Sequence, residues 1–151
     1  MASLLLIVHA CVTWFLVGLI WLVQLVHYAQ FDGVGAGGWS DYHRRHTSNI
    51  TWVVGPTMLL ELATAVLLVW RRPAVVPAWT AWLGLGLVAL LWISTAAIQV
   101  PLHNRLGGGF DAEVARRLVV TNWLRTIAWT LRGLLVAWML WLAMNVQHTP
   151  R

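Results

Sequence analysis

The sequence predicts an all-α fold: an integral membrane four-helix bundle, antiparallel and up-down in topology, with a short amphipathic lead-in to the second helix. Three observations lead there. The chain of 151 residues is 60% hydrophobic and only 10% charged, whereas about a quarter of a soluble domain is charged. Four apolar runs, roughly 4–26, 50–70, 78–100 and 118–146, each supply the ~20 residues of helix that cross a ~30 Å hydrocarbon core. The connections are short, so successive helices run antiparallel and 1–151 forms a single transmembrane domain.

The first run lacks a basic leader, exceeds the usual signal-peptide core and shows no small-residue cleavage site, so it reads as a span. It is expected to continue past Val26 to about Gln30. The stretch DGVGAGG at 32–38 follows, where four glycines end the helix. Trp39 to Asn49 (WSDYHRRHTSN) is polar and forms the expected lead-in, with Ser40 or Asp41 as its cap. Pro56, preceded by Gly55, predicts a kink about one turn inside the second span.

The run Arg71 to Pro73 (RRP) closes the second helix, and Pro77 starts the third. The third is expected to break over Val100 to Phe110 (VPLHNRLGGGF), at a proline and three glycines. Asp111 to Arg117 (DAEVARR) then reads as the first turn of the fourth helix, with acids placed where the helix dipole favours them.

All ten cationic residues are arginines, and the net charge is +5. The excess lies at membrane borders, which makes the lipid bilayer the expected partner and excludes nucleic acid. Arg44, Arg45, Arg105, Arg116 and Arg117 fall on one side, against Arg71, Arg72 and Arg151 on the other. The positive-inside rule puts the first group in the cytoplasm of what is expected to be a bacterial cell membrane. Cys11 is the single cysteine, so no disulfide, CxxC motif or thiolate cluster forms within one chain. Of twelve tryptophans, Trp39, Trp52, Trp70, Trp79, Trp82, Trp123, Trp138 and Trp141 read as interfacial belts. Trp14, Trp92 and Trp129 fall deeper, either lining a cavity or packing.

Each helix carries a polar stripe at helical spacing. The first has His9, Thr13, Gln24 and His27; the second His43, His46, Thr57, Glu61 and Thr64. The third has Thr95, Gln99 and His103; the fourth Asn122, Arg125, Trp129 and Arg132. Glu61 and Arg132 sit near mid-span, where a charge costs ~2.5–3.5 kcal/mol on insertion scales, so they are expected to face inward and pair. Arg125 has no equally obvious partner. It suits an anionic or enolate-like oxygen, unless it pairs with Asp111 or Glu113.

His27, His43, His46 and His103 should converge on one side of the membrane. Such a set suits proton transfer or a bound zinc, copper or iron. A haem held between His27 and His103 is a further option. The alternative is that interfacial histidines snorkel or hydrogen-bond loop carbonyls. His9, on the other half, is expected to satisfy a neighbour, and His148 in the tail lies on the opposite side.

The segments VPLHNRL, NWLRTIAW and TLR between Val100 and Arg132, with YHRRH at Tyr42 to His46, resemble a group of small four-helix membrane proteins that includes the anthrone-oxygenase-like proteins. The resemblance covers about forty residues by motif and implies a site at His43, His46, Asn104, Asn122 and Arg125. It implies an oxidoreductase acting on a flat, lipophilic phenolic substrate. His43 or His46 would be the general base, and Arg125 with Asn122 would stabilise the enolate or phenolate. Dioxygen would then react directly or at a histidine-bound metal. Two other classes compete. One is a scaffold or accessory subunit held together by its polar stripes. The other is a proton channel using Glu61, Arg132 and the histidines, which would need a homo-oligomer.

Overall fold

The structure, a computed structural model, describes residues 1–35 and 37–145. The expected end of the last span at Val146, and also His148 and Arg151, lie outside the described residues. Four helices account for nearly all of the rest: α1 (Ala2–Phe31), α2 (Trp39–Arg71), α3 (Ala78–Leu106) and α4 (Ala112–Asn145). All four are long and apolar enough to cross a membrane. They pack in a ring in which α1 touches α2 and α4, and α3 touches the same two. Cross-helix pairs set the direction: His9 near the start of α1 bonds Thr64 near the end of α2, while Gln99 late in α3 meets Thr121 early in α4. The bundle is therefore antiparallel, up and down.

The outward faces are apolar, with Phe15, Leu59, Ile93, Leu131 and Leu134 exposed. The inward faces carry the expected polar stripes: His9, Thr13, Gln24, Glu61, Gln99, Asn122 and Arg132 are all buried. The interior between these stripes is apolar, with Leu16, Leu68, Leu91 and Leu118 buried.

The lead-in is not a separate helix. α2 runs unbroken from Trp39 through Pro56 to Arg71, its cap position is Gly38 with no side-chain cap, and Asp41 instead pairs with Arg44 at 2.8 Å. α3 likewise passes Pro101 and ends at Leu106, where Gly107 to Gly109 take over and Gly109 turns to φ +147°. A π-helical turn over Thr95–Gln99 lies just ahead of Pro101. Its wider winding relieves the pressure that a proline ring exerts on the carbonyl four residues back.

α1 also changes pitch, through a π turn over Val23–His27 and then 3₁₀ winding over Tyr28–Gly33. Asp111, expected inside the first turn of the fourth helix, stands just before it and caps it. Its Oδ1 accepts from the backbone N–H of Glu113 at 2.9 Å and of Val114 at 3.0 Å.

Trp39 departs from the expected belt. It is buried, donates from Nε1 to the Leu106 carbonyl at 2.7 Å, and so ties the start of α2 to the end of α3. Trp52, Trp70, Trp79, Trp82 and Trp141 are exposed as the belts require. At Gly133, an added Cβ would stand 3.1 Å from Val17 Cγ2 and 3.4 Å from the Trp14 ring. The small residue is what lets α1 and α4 approach there.

Candidate functional site

Two polar assemblies sit inside the bundle. The deeper one is organised by Glu61 and Arg132, both sealed from solvent, with Arg132 Nε 2.9 Å from Glu61 Oε1. Thr13 donates to the same oxygen at 3.2 Å, and Trp129 Nε1 donates to Oε2 at 3.1 Å. The other two nitrogens of Arg132 reach the Gly84 carbonyl and His9 Nε2, the latter at 3.0 Å. Arginine only donates. His9 Nε2 is therefore the acceptor, and its Nδ1–H donates to Thr64 Oγ1 at 2.7 Å. The expected ion pair is present, and His9 satisfies its neighbours. Every polar atom is used inside the bundle, so this assembly locks the four helices together.

The second assembly surrounds a cavity of about 240 Å³ toward the histidine end, just below the usual range of ligand pockets, about 300–1,000 Å³. Its walls are mostly apolar: Leu16, Ile20 and Val23 of α1, Ile50, Val54 and Met58 of α2, and Trp92 and Trp129. Thr51 and Val100 line it while also being exposed on the bundle's surface. The cavity thus reaches the outer surface between α2 and α3. Tyr28, His46, Gln99, His103 and Arg125 supply its polar groups.

Arg125 is buried and makes one side-chain hydrogen bond, from Nη1 to Asn122 Oδ1 at 3.2 Å. Its Nε–H has no partner among the described residues. The guanidinium carbon lies 5.2 Å from the centre of the Trp129 ring, a cation–π contact. Asp111 and Glu113 are engaged elsewhere: the first caps α4, and the second pairs with Arg116 and Arg117. Trp92 Nε1 and Gln99 Oε1, on two other lining residues, are also buried without partners. Buried polar groups are rarely left unpaired. All three belong to residues that line this one cavity.

The four histidines do converge, as a chain of rings. Centroids are 5.5 Å apart for His27 and His46, 6.1 Å for His46 and His103, and 5.4 Å for His43 and His103. His103 is held from both sides: Nε2 is 3.2 Å from Tyr28 Oη, and Nδ1 is 3.2 Å from His43 Nε2. His46 lines both the cavity and an outer cleft that it shares with His27, Arg45 and Asn49. His43 and His103 line a second outer cleft, with Asn104 and Gly107. His46 and His103 thus stand between the cavity and the polar face of the bundle, each bordering the cavity and one outer cleft.

The sequence-predicted residues divide accordingly. His46 and Arg125 reach the cavity. His43 stands behind His103, stacked on Trp39 at 5.4 Å. Asn122 is fully buried, donates from Nδ2 to Gln24 Oε1 at 2.8 Å, and holds Arg125 from behind. Asn104 is exposed in the outer cleft. His27 lies at the rim of the other cleft and away from the cavity. Tyr28, which the sequence reading passed over, is buried on the cavity wall.

The donor set does not fit a histidine-bound iron, copper or zinc, or a haem. Among the described residues no three His, Cys, Asp or Glu side chains are grouped to hold an ion. Both nitrogens of His103, the residue central to either arrangement, are already hydrogen-bonded within the protein. Comparisons with protein-family models, curated proteins and solved structures return no match for this chain.

Proposed function

We propose that this chain is a multi-pass enzyme of the bacterial cell membrane that takes a flat, lipophilic phenol from the bilayer and oxidises it with dioxygen. The observation that carries the reading is Arg125, a buried guanidinium on a residue that lines a mostly apolar cavity and whose Nε–H has no partner among the described residues. A fixed cation in a dry site stabilises a developing oxyanion far more than it would in water. The resemblance to anthrone-oxygenase-like proteins supplies the oxidant and the substrate class.

In this reading the phenol enters between α2 and α3, with its rings against Trp92 and Trp129. His46 takes the acidic proton. It lines the cavity and, unlike His103, has no hydrogen-bond partner among the described residues. It also borders the outer cleft, where the proton leaves. Arg125, oriented by Asn122, holds the resulting phenolate or enolate, whose raised electron density favours reaction with dioxygen.

The test is oxygen uptake by the purified protein in mild detergent with hydroxyanthrones and naphthols, beside His46→Ala and Arg125→Ala. Uptake abolished in both variants, each still folded, is the expected result. Undiminished uptake in the double variant would remove both assigned roles.

A further inference from the structure

The cavity has a second polar connection to the outside, distinct from His46. Tyr28 lines the cavity, and its Oη is 3.2 Å from His103 Nε2. His103 Nδ1 is 3.2 Å from His43 Nε2. His43 borders the outer cleft, and its Nδ1 has no hydrogen-bond partner among the described residues. A Cβ built on Gly107, which lines the same cleft, would stand 4.0 Å from that Nδ1. Three groups that can each donate and accept are therefore joined end to end, from the apolar interior to the polar face.

We infer that Tyr28, His103 and His43 form a proton wire between the cavity and the outer cleft. The inference rests on the reading of the cavity as a site of proton-coupled chemistry. Both hydrogen bonds are within the reach that proton transfer requires. Each imidazole holds one N–H when neutral, so the two rings can carry their protons on either nitrogen. With both rings protonated on Nε2, His43 donates to His103 and His103 donates to Tyr28. The phenolic O–H then points to an acceptor in the cavity.

Inward transfer adds a proton from water to His43 Nδ1. The His43 Nε2–H bond breaks as the His103 Nδ1–H bond forms, and the His103 Nε2–H bond breaks as a new Tyr28 O–H bond forms. The original Tyr28 proton passes to the oxyanion held in the cavity. Water has lost one proton, the oxyanion has gained one, and every member of the wire ends neutral. Both imidazoles now carry their protons on Nδ1. Outward transfer reverses each step and restores the starting tautomers.

Trp39 keeps the wire narrow. It stacks on His43 at 5.4 Å with an interplanar angle of 28° and is itself tied to the Leu106 carbonyl. Tyr28 is a wire residue because it lines the cavity and its hydroxyl can both donate and accept. A phenylalanine there would preserve the ring packing against Phe31, at 5.2 Å, and remove only the transfer.

Two measurements on the full chain in detergent test this. In the first, NMR of ¹⁵N-histidine-labelled protein compares wild type with Tyr28→Phe. Loss of the Oη contact is expected to shift the ring nitrogens of His103 and, through the linked tautomers, those of His43. A change confined to His103, or none, overturns the wire. In the second, an alkylated 7-hydroxycoumarin serves as a cavity probe, and stopped-flow pH jumps follow its phenol–phenolate conversion. Tyr28→Phe is expected to slow the conversion at least about tenfold with affinity changed by less than about twofold; an unchanged rate overturns the wire. Coupled histidine shifts with no probe binding in wild type would sink the substrate reading while leaving the wire standing.

Discussion

Arg132 Nε lies 2.9 Å from Glu61 Oε1 in the closed middle of the bundle, and each remaining nitrogen or oxygen of the two charged groups has its own partner. Removing one member leaves a buried charge without its counterion, at a cost of about 3–5 kcal/mol. Glu61→Ala and Arg132→Ala are each expected to lower the thermal midpoint in detergent markedly. Glu61→Leu combined with Arg132→Met should recover most of that loss, because no charge is stranded. A double variant no more stable than either single change would contradict this account.

Arg125 behaves differently. It has one side-chain hydrogen bond, to Asn122, and its Nε–H is unpartnered among the described residues. Arg125→Ala is therefore expected to leave the thermal midpoint nearly unchanged while weakening binding of a phenolate probe about 10- to 100-fold, the worth of a charge-assisted hydrogen bond. Arg125→Lys should restore little of it, since an ammonium cannot reproduce the planar fork or the stacking on Trp129. Equilibrium fluorescence titration reads both.

Gly133 and Gly86 make an internal control for helix approach. A side chain at Gly133 meets Val17 and Trp14, whereas nothing lies within 4 Å of a Cβ at Gly86. Gly133→Val is expected to destabilise by about 1–3 kcal/mol through overpacking. Gly86→Ala is expected to be neutral or to stabilise by about 0.5–1 kcal/mol, because alanine loses less entropy in a helix. Unfolding midpoints moving together in the two variants would show that α1 and α4 do not meet closely at Gly133.

The engagement of His103 by Tyr28 and His43 makes a statement about metals. Protein purified without chelator is expected to contain iron, copper and zinc well below one atom per chain, with no Soret band. One equivalent of metal, lost in His43→Ala/His46→Ala, would mean that these hydrogen bonds are replaced by coordination.

The buried ion pair was legible because two charges at mid-span in apolar helices have nowhere else to go. The role of Asn122 was half legible. Its place on the Arg125 face follows from the three-residue spacing, but its pairing with Gln24 depends on how closely α1 packs on α4. The continuity of α2 across Pro56 was legible, because the apolar run spans that proline, whereas the continuity of α3 across Pro101 was not. A proline weakens a helix locally, and whether the chain breaks there depends on what the neighbouring helices pack against it.

Tyr28 marks the boundary most clearly. At 100° per residue, His9 and His27 are five turns apart and share a face. The π turn over Val23–His27 takes up one residue more than an α turn would, which winds the helix back by about one residue's rotation. His27 is carried to the rim, and Tyr28 takes the inward position beside His103. The amino-acid sequence by itself determined the four apolar helices, their antiparallel order and the end of the bundle where the histidines gather, because length, hydropathy and short connections allow no other arrangement. Which of the polar side chains face the cavity was decided only by the tertiary structure. A single inserted residue in the helical winding costs little locally, and only packing against three neighbouring helices fixes where it falls.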